Sequence, residues 1–373
     1  MGGHALVFGA SGITGWGVVN ALLSDYPTSD AFDRVTALTN RPLPVEESGW
    51  PKSEKLNVVS GLDLLSGNQA ALEESIRQQV PQIESVSHVY FFAYIFNPDN
   101  ETEIQINVDL LRRAITAVDS LSEKLAFVTY GVHLLDKFPF ADKLPLKESL
   151  PAIPEPFKSK LFYYPQVELL KELSANKTWK WCDVIPDIVV GFVPNNNAYC
   201  LAQWLALYLS LYRELNGPGA EVVFPGTKSW TIKSNDSNQD IIGRFSVYAS
   251  LHPEWSAGER YNVADNAQYS SWSGVAPTNG PGPDPSAYIH ENKEKWFELE
   301  KKYGLKGGRV GNEKSLTIVS NFLMNQFDFD RQVDMTKMHR AWGDAKEETD
   351  VQGAWHVAFD RFRAANIIPK SFT

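Results

Sequence analysis

The feature that most constrains the fold is a glycine-rich segment near the start of the chain. Residues 4–8 read as an apolar strand, residues 9–15 are GASGITG, and residues 18–23 continue as an apolar-faced helix. In a dinucleotide-binding turn the first glycine permits the tight turn and the second lets a pyrophosphate approach the main chain. The third lets the helix pack closely on the strand. The GxxGxxG spacing differs from the commoner GxGxxG, so a glycine-rich turn of another α/β protein stays an alternative.

The segment predicts a phosphate site at the start of the helix. The first turn of a helix has free N–H groups and the positive end of the helix dipole, which favour an anion. We expect cofactor contacts from the residues of this segment, namely Gly9, Ser11, Gly12, Ile13, Thr14 and Gly15.

The end of the second predicted strand indicates which dinucleotide binds. Residues 34–39 form that strand, and Asn40 and Arg41 follow it where an NAD enzyme would place a carboxylate against the ribose. A positive charge there suits a 2′-phosphate, so we expect NADP, with Asn40 and Arg41 at its adenosine end. After the third strand, residues 56–60, Asp63 either reaches the adenine or caps the next helix.

The rest of the first half alternates strands and helices. Residues 86–92, 124–129 and 181–186 read as near-continuous apolar strands, and residues 101–118 read as a helix. This alternation predicts an α/β fold, a doubly wound parallel sheet covered on both faces. Ligands of such sheets bind at the carboxyl ends of the strands. We therefore expect the nicotinamide end of the cofactor near Ala93, Thr129, Ile188 and Val189.

The pattern changes after about residue 195. Residues 1–195 are predicted as the NADP-binding Rossmann domain, and residues 196–373 as a smaller, mainly helical part that covers the substrate and interleaves with the first. The chain has 11 tryptophans and 20 phenylalanines, which suit either a large apolar cleft or a bulky core. A cleft of this kind would bind a hydrophobic molecule such as a terpenoid, steroid or polyketide.

Charge and cysteine content exclude several classes of protein. The net charge of −10 disfavours nucleic acid and anionic membranes as partners. The two cysteines, Cys182 and Cys200, stand in no CxxC or Cys/His cluster, so we expect neither a disulfide framework nor a metal site. The sequence predicts no signal peptide and no membrane span, hence a cytoplasmic protein, and it leaves a homodimer open.

Several segments in order resemble one family, the PRISE group of progesterone 5β-reductase and iridoid synthase-like enzymes within the atypical short-chain dehydrogenases. The loops are similar to those of fungal members. The resemblance covers nearly the whole chain and rests on GASGITG, on NRPLP from residue 40, on Phe162-Tyr163-Tyr164 with its helix to Glu172, on residues 186–195, on residues 261–265 with Ser-Ser-Trp272, and on residues 302–305.

The resemblance implies an extended Rossmann fold, NADPH and conjugate reduction of a C=C bond in an enone or enal. Hydride then goes to the β-carbon while a tyrosine hydroxyl holds the developing enolate oxygen. Tyr164 matches the family tyrosine, and a phenol suits the task because its O–H can donate to an oxygen that gains charge. The alternative is that Tyr163 or Tyr164 is a packing residue at the start of the helix.

The chain departs from the family after the fifth strand. Family members carry a Thr-Gly-x-Lys segment there, whereas Thr129 is followed directly by Tyr130-Gly131-Val132-His133. Without that lysine, the acid chemistry relies on Tyr164 alone or recruits Tyr130 or His133. His133 stands alone in an apolar stretch, which favours a structural role for it over a catalytic one. Ile185 also stands where the family often has an arginine.

Three functions follow from these observations. The first is an NADPH-dependent reductase of an enone, enal or ketone in a hydrophobic secondary metabolite, which we favour because the phosphate loop is intact. The second is a non-redox isomerase or cyclase on the same scaffold, for which the missing lysine would be the signature. A nucleotide-sensing regulator is a third, and the aromatic second half disfavours it.

Overall fold

The computed structural model describes residues 2–131, 142–274, 276, 278–280, 282–312 and 322–372. Its centre is a parallel sheet of seven strands. They are β1 (Gly3–Phe8), β2 (Phe32–Thr39), β3 (Leu56–Ser60), β4 (His88–Phe91), β5 (Phe127–Tyr130), β6 (Lys180–Pro186) and β9 (Arg260–Val263), in the order β3-β2-β1-β4-β5-β6-β9. A separate parallel pair is formed by β7 (Val189–Val190) and β8 (Ser237–Asn238).

The helices of the described residues follow the strands in the alternation predicted from the sequence. They are α1 (Ile13–Leu23), α2 (Gln69–Gln79), α3 (Asn100–Leu121), α4 (Tyr163–Ser174), α5 (Leu201–Asn216), α6 (Gln239–Ser250), α7 (Pro253–Ser256), α8 (Pro285–Glu291), α9 (Lys293–Tyr303), α10 (Thr336–Trp342) and α11 (Val351–Ala364). None of them is both long and apolar enough to cross a bilayer.

Both faces of the sheet are buried, which confirms the doubly wound α/β fold. Along β1 the side chains of Ala5 and Val7 join the core under α1 and α6, whereas Leu6 and Phe8 join the core under α2, α3 and α4. Strand order reverses between β1 and β4, so the crevice where such folds bind ligands opens at the carboxyl ends of these two strands.

The second half of the chain interleaves with the first. Strand β9 extends the sheet beside β6, and α6 packs on α1 at two glycines. A Cβ added at Gly243 would lie 2.4 Å from the Gly17 carbonyl oxygen, so the two helix backbones touch. The division at residue 195 stays a prediction.

Candidate active site

The glycine-rich segment forms a turn whose conformation depends on Gly9. Its φ is +77°, in the left-handed region, and an added Cβ would lie 2.7 Å from the Phe92 carbonyl carbon. The Gly12 N–H donates to the Gly9 carbonyl at 2.9 Å and so closes the turn. The turn therefore holds the end of β1 directly against the end of β4, at the switch point of the sheet.

Gly12 and Gly15 differ in the space that the structure leaves for a side chain. A Cβ at Gly15 would lie 2.3 Å from the Gly9 carbonyl oxygen, so packing forbids a side chain there. At Gly12 the nearest atom to an added Cβ, outside its chain neighbours, is the same oxygen at 3.2 Å. A side chain at Gly12 would therefore meet a tight contact, milder than the clash at Gly15, and it would also occupy the space of a phosphate against the main chain.

The first turn of α1 is open to an anion. Gly12 is its N-cap, and no described side chain caps it by a hydrogen bond. Ile13 and Thr14 are half-exposed, and Ser11 is 9% exposed. The free N–H groups and the absent side chain at Gly12 fit a pyrophosphate.

Arg41 lies at the predicted adenosine end. Its Nη1 donates to the Asn196 carbonyl at 2.7 Å, and the Thr39 hydroxyl donates to the Arg41 carbonyl at 2.9 Å. Asn40 and Arg41 are both exposed. The structure thus brings the end of β2 into contact with the segment that follows β7.

Asp63 is exposed and makes a local turn. Its Oδ1 accepts the Leu65 N–H at 2.9 Å. Asn68 caps α2 by accepting the Ala71 N–H, so the alternative that Asp63 caps this helix is wrong. The contact of Asp63 with the adenine stays a prediction.

The residues predicted at the nicotinamide end lie at or near the carboxyl ends of β4, β5 and β6. Ala93 follows β4 and is half-exposed, whereas Thr129 is fully buried within β5. Ile188 and Val189 follow β6, and the Ile188 carbonyl accepts the Ser237 N–H at 3.1 Å. Ala93 therefore follows the carboxyl end of β4, Ile188 and Val189 follow that of β6, and the Thr129 side chain is inside the sheet.

Beyond Ala93 the loop is fixed by one amide side chain. The Asn107 Oδ1 accepts the Ile95 N–H at 3.0 Å, and its Nδ2 donates to the Ile95 carbonyl at 2.8 Å. Asn107 is fully buried on α3. This pair of bonds holds the loop after β4 in place beside the crevice.

Tyr130 belongs to a buried network rather than to the open edge. Its hydroxyl donates to Gln166 Oε1 at 2.5 Å, and Gln166 Nε2 donates to the Asn107 carbonyl at 2.6 Å. Burial raises the pKa of Tyr130 well above its ordinary value. The network ties β5 to α3 and α4, which is a structural task.

Tyr164, in the first turn of α4, borders a groove between that helix and the residues that precede it. Its hydroxyl accepts the Ile153 N–H at 3.1 Å. The groove has a volume of about 330 Å³ and is lined by Tyr164, Lys158, Lys171 and Arg260, among others. Lys158 Nζ lies 5.8 Å from the centre of the Tyr164 ring, so a cation that the sequence reasoning missed stands beside this tyrosine.

The neighbouring Tyr163 lies in an aromatic cluster at the sheet edge. Its ring is 4.5 Å from that of Phe162, which stacks on Tyr94 at 5.4 Å, and Tyr94 meets Tyr199 edge to face at 5.7 Å. The Tyr94 hydroxyl donates to Glu103 Oε1 at 2.6 Å. Burial raises the pKa of Tyr199 to about 12, against the opposing effect of its hydrogen bond with Tyr94. His133 lies outside the described residues.

A buried ion pair stands just beyond β6 and was not foreseen. Arg331 Nε lies 3.0 Å from Asp187 Oδ2, and both side chains are at most 2% exposed. Asp236 is half-buried nearby, and its Oδ2 accepts the Trp355 indole N–H at 3.0 Å. Burial raises the pKa of Asp236 to about 6, and the Asp187 charge raises it further.

Comparison with known proteins settles the family. The model of the PRISE-like Rossmann-fold domain matches residues 5–369. The chain belongs to this family. A relative, the short chain dehydrogenase sirQ of Leptosphaeria maculans, is 32% identical over 98% of this chain and 97% of its own length.

More distant PRISE-like and Rossmann proteins agree with this. The 3-oxo-Delta(4,5)-steroid 5-beta-reductase of Arabidopsis thaliana is 24% identical over 72% of this chain and 66% of its own length. Among solved structures, the epimerase Mth375 of Methanothermobacter thermautotrophicus superposes with a TM-score of 0.64 over 97% of this chain and 93% of its own, at 13% identity. That likeness concerns the fold alone. Family membership and the named relatives identify this PRISE-like chain as an oxidoreductase of the short-chain dehydrogenase type.

Proposed function

We propose that the chain is an NADPH-dependent reductase of an activated C=C bond, in an enone or enal, or of a ketone, in a hydrophobic secondary metabolite. The observation that carries the proposal is the phosphate-binding turn of residues 9–15, the cradle, in which Gly12 has no side chain and forms the N-cap of α1 without a side-chain capping bond. The relatives named as dehydrogenase and steroid reductase support the same function.

The residues of the cradle suit NADPH in particular. The main chain at Gly12 and the first turn of α1 would bind the pyrophosphate, and Arg41 would bind the 2′-phosphate. NADPH supplies the hydride when it is bound. The remaining task of the protein is to hold the substrate carbonyl and to stabilise the negative charge that reaches its oxygen.

Tyr164 is proposed for that task. The Ile153 N–H already donates to the phenolic oxygen, which stabilises negative charge there and leaves the O–H proton available for a substrate oxygen. Hydride addition at the β-carbon would give an enolate, which this proton would convert to an enol, and tautomerisation would then move a proton to the α-carbon and leave the C=C bond saturated. At a ketone the hydride would add to the carbonyl carbon, and the same proton would yield the alcohol. Lys158 adds a positive charge to the same groove.

The aromatic cluster supports a hydrophobic substrate. Phe96 is 59% exposed and Ile95 is 37% exposed, in the loop that follows β4. Phe96 contacts Tyr199 at 6.1 Å between ring centres. Exposed apolar side chains beside the cofactor crevice suit an apolar ligand better than a sugar or a phosphorylated one.

The proposed function is tested by measuring the transfer of deuterium from labelled NADPH to the product. Incubation of an enone with NADPH deuterated at its transferable position should consume NADPH stoichiometrically and place deuterium at the β-carbon of the product, or at the carbinol carbon for a ketone. Product of unchanged mass without label and without loss of NADPH absorbance would overturn the proposal and establish an isomerase or cyclase.

The role of Tyr164 is tested by comparing its Phe variant with that of Tyr163. Tyr164→Phe should lower turnover by roughly two to four orders of magnitude, the effect of removing an oxyanion donor or general acid, with NADPH binding retained. Tyr163→Phe is the matched control, since it removes the adjacent hydroxyl from the same helical turn. If Tyr163→Phe abolishes turnover and Tyr164→Phe does not, the reductase function stands and the assignment of Tyr164 is wrong.

A further inference from the structure

Arg309 is a buried arginine without a described acidic partner. It is 3% exposed, its Nη2 donates to the Pro194 carbonyl at 2.8 Å, and its Nε donates to Gln203 Oε1 at 3.3 Å. In the described part of the chain no carboxylate is within ion-pair distance of it, in contrast to the Arg331 pair. Glu300 acts on Arg309 only from farther away, and its Oε1 accepts the Trp296 indole N–H at 2.6 Å.

A buried cation without an acidic partner is costly. Removing a charge from water is compensated only when an opposite charge or several hydrogen bonds replace the solvent. Burial lowers the pKa of Arg309 to about 10, which still leaves the guanidinium protonated at neutral pH. The folded protein therefore keeps a positive charge in its interior that two hydrogen bonds to neutral groups only partly compensate.

A second cation converges on the same segment. Arg41 binds the carbonyl of Asn196, and Arg309 binds the carbonyl of Pro194, two residues earlier. Two residues of chain span at most about 7 Å. Gln203 joins the two sides, since its Nε2 donates to Asn196 Oδ1 at 2.9 Å while its Oε1 accepts from Arg309. The Arg41 charge also acts on Arg309.

We propose that Arg309 is the inner cation of the site for the 2′-phosphate of NADP, with the exposed Arg41 as the outer one. The inference rests on the proposed function, because it assumes that the adenosine end lies at Arg41. Arg41 contacts the phosphate directly. Arg309 acts from behind the Pro194–Asn196 segment, by holding that segment toward Arg41 and by adding its charge to the site, so it is a positioning residue.

The experiment measures binding of two nucleotides that differ by the 2′-phosphate alone. Dissociation constants of 2′,5′-ADP and 5′-ADP are determined by calorimetry for the unmodified protein, Arg309→Gln and Arg309→Lys. We expect the preference for 2′,5′-ADP to fall roughly tenfold in Arg309→Gln, because the positive charge behind the site is lost, and to be retained in Arg309→Lys, which keeps that charge. Arg77→Gln, which removes an exposed charge on α2, should leave the preference unchanged.

A second variant keeps the test decisive if Arg309→Gln fails to fold. Gln203→Glu is isosteric, supplies the missing carboxylate to Arg309 and removes the Nε2 donor to Asn196, so it acts on both sides of the proposed arrangement. It should leave the protein folded, as judged by thermal unfolding, and reduce the preference for 2′,5′-ADP while 5′-ADP binds as before.

The outcomes separate this inference from the proposed function. If the unmodified protein binds the two nucleotides equally, the NADP assignment fails and the role of Arg309 fails with it. If the unmodified protein prefers 2′,5′-ADP, but Arg309→Gln or Gln203→Glu weakens both nucleotides alike or neither, Arg309 is a structural support only and the inference is overturned.

Discussion

The Tyr130 hydroxyl donates to Gln166 Oε1 inside the layer between the sheet and α4. This bond matters for function because Tyr130 follows Thr129 at the place where the family lysine segment is missing. A hydroxyl that is buried and hydrogen-bonded to a side chain of α4 is held away from the crevice.

We therefore expect Tyr130→Phe to affect stability rather than chemistry. The change leaves the Gln166 amide oxygen without this buried donor, which costs about 1–3 kcal/mol of unfolding free energy. Denaturant unfolding measures the loss, and the turnover of the folded variant should stay within about threefold of the unmodified protein. A fall of two orders of magnitude in turnover with unchanged stability would instead make Tyr130 the acid.

Gly12 and Gly15 should respond differently to substitution. Gly12→Val should leave a folded protein that no longer binds NADPH, because the side chain occupies the space of the pyrophosphate. Gly15→Ala should lower the melting temperature, since its Cβ meets the Gly9 carbonyl oxygen at 2.3 Å. Circular dichroism and fluorescence titration with NADPH distinguish the two effects. Full NADPH affinity in Gly12→Val would make the segment a structural turn only.

The contact between α1 and α6 predicts that the two halves of the chain unfold together. Gly243→Ala should destabilise the whole protein in one transition, because the added methyl lies 2.4 Å from the Gly17 carbonyl oxygen in a backbone-to-backbone contact. Gly274→Ala is the control, since an added Cβ there meets nothing within 4 Å. Calorimetry that showed one early and one unshifted transition would instead mean that the halves unfold independently.

The sequence predicted the parts of the fold that local patterns encode. The six predicted apolar strands and the helix predicted over residues 101–118 lie within a few residues of the bounds that the hydrophobic runs indicated, whereas α1 begins five residues earlier than predicted. Strand β9 was missed because Arg260 and Asn262 interrupt its apolar residues and because its partner, β6, lies far back in the chain. An edge strand of four residues has too little local signal to be recognised without its neighbour.

In the candidate site, too, only the residues of a contiguous motif could be predicted from the sequence. The phosphate turn is a contiguous motif, so its glycines could be read directly. The role of Arg309 could not be predicted from the sequence, because it depends on the carbonyls of Pro194 and Asn196 and on Arg41, which are distant along the chain. Lys158 beside Tyr164 is closer in sequence, yet only the turn that precedes α4 brings it to the ring.

The raised pKa of Asp236, which is half-buried, predicts an unusual dependence of stability on pH. Its pKa is about 6 when folded against an ordinary value of 3.8, so the folded protein binds this proton more tightly than the unfolded chain does. Its contribution is fully present below pH 3.8 and is lost as the pH rises through about 6, by about 2–3 kcal/mol over the whole range. Asp236→Asn cannot lose a proton and keeps an acceptor for the Trp355 indole. The stability of the variant relative to the unmodified protein should therefore increase between pH 5 and pH 7, as measured by urea unfolding at each pH.

Asp360→Asn, at an exposed position on α11, should show no such trend. Parallel stability curves for Asp236→Asn and the unmodified protein would contradict the raised pKa.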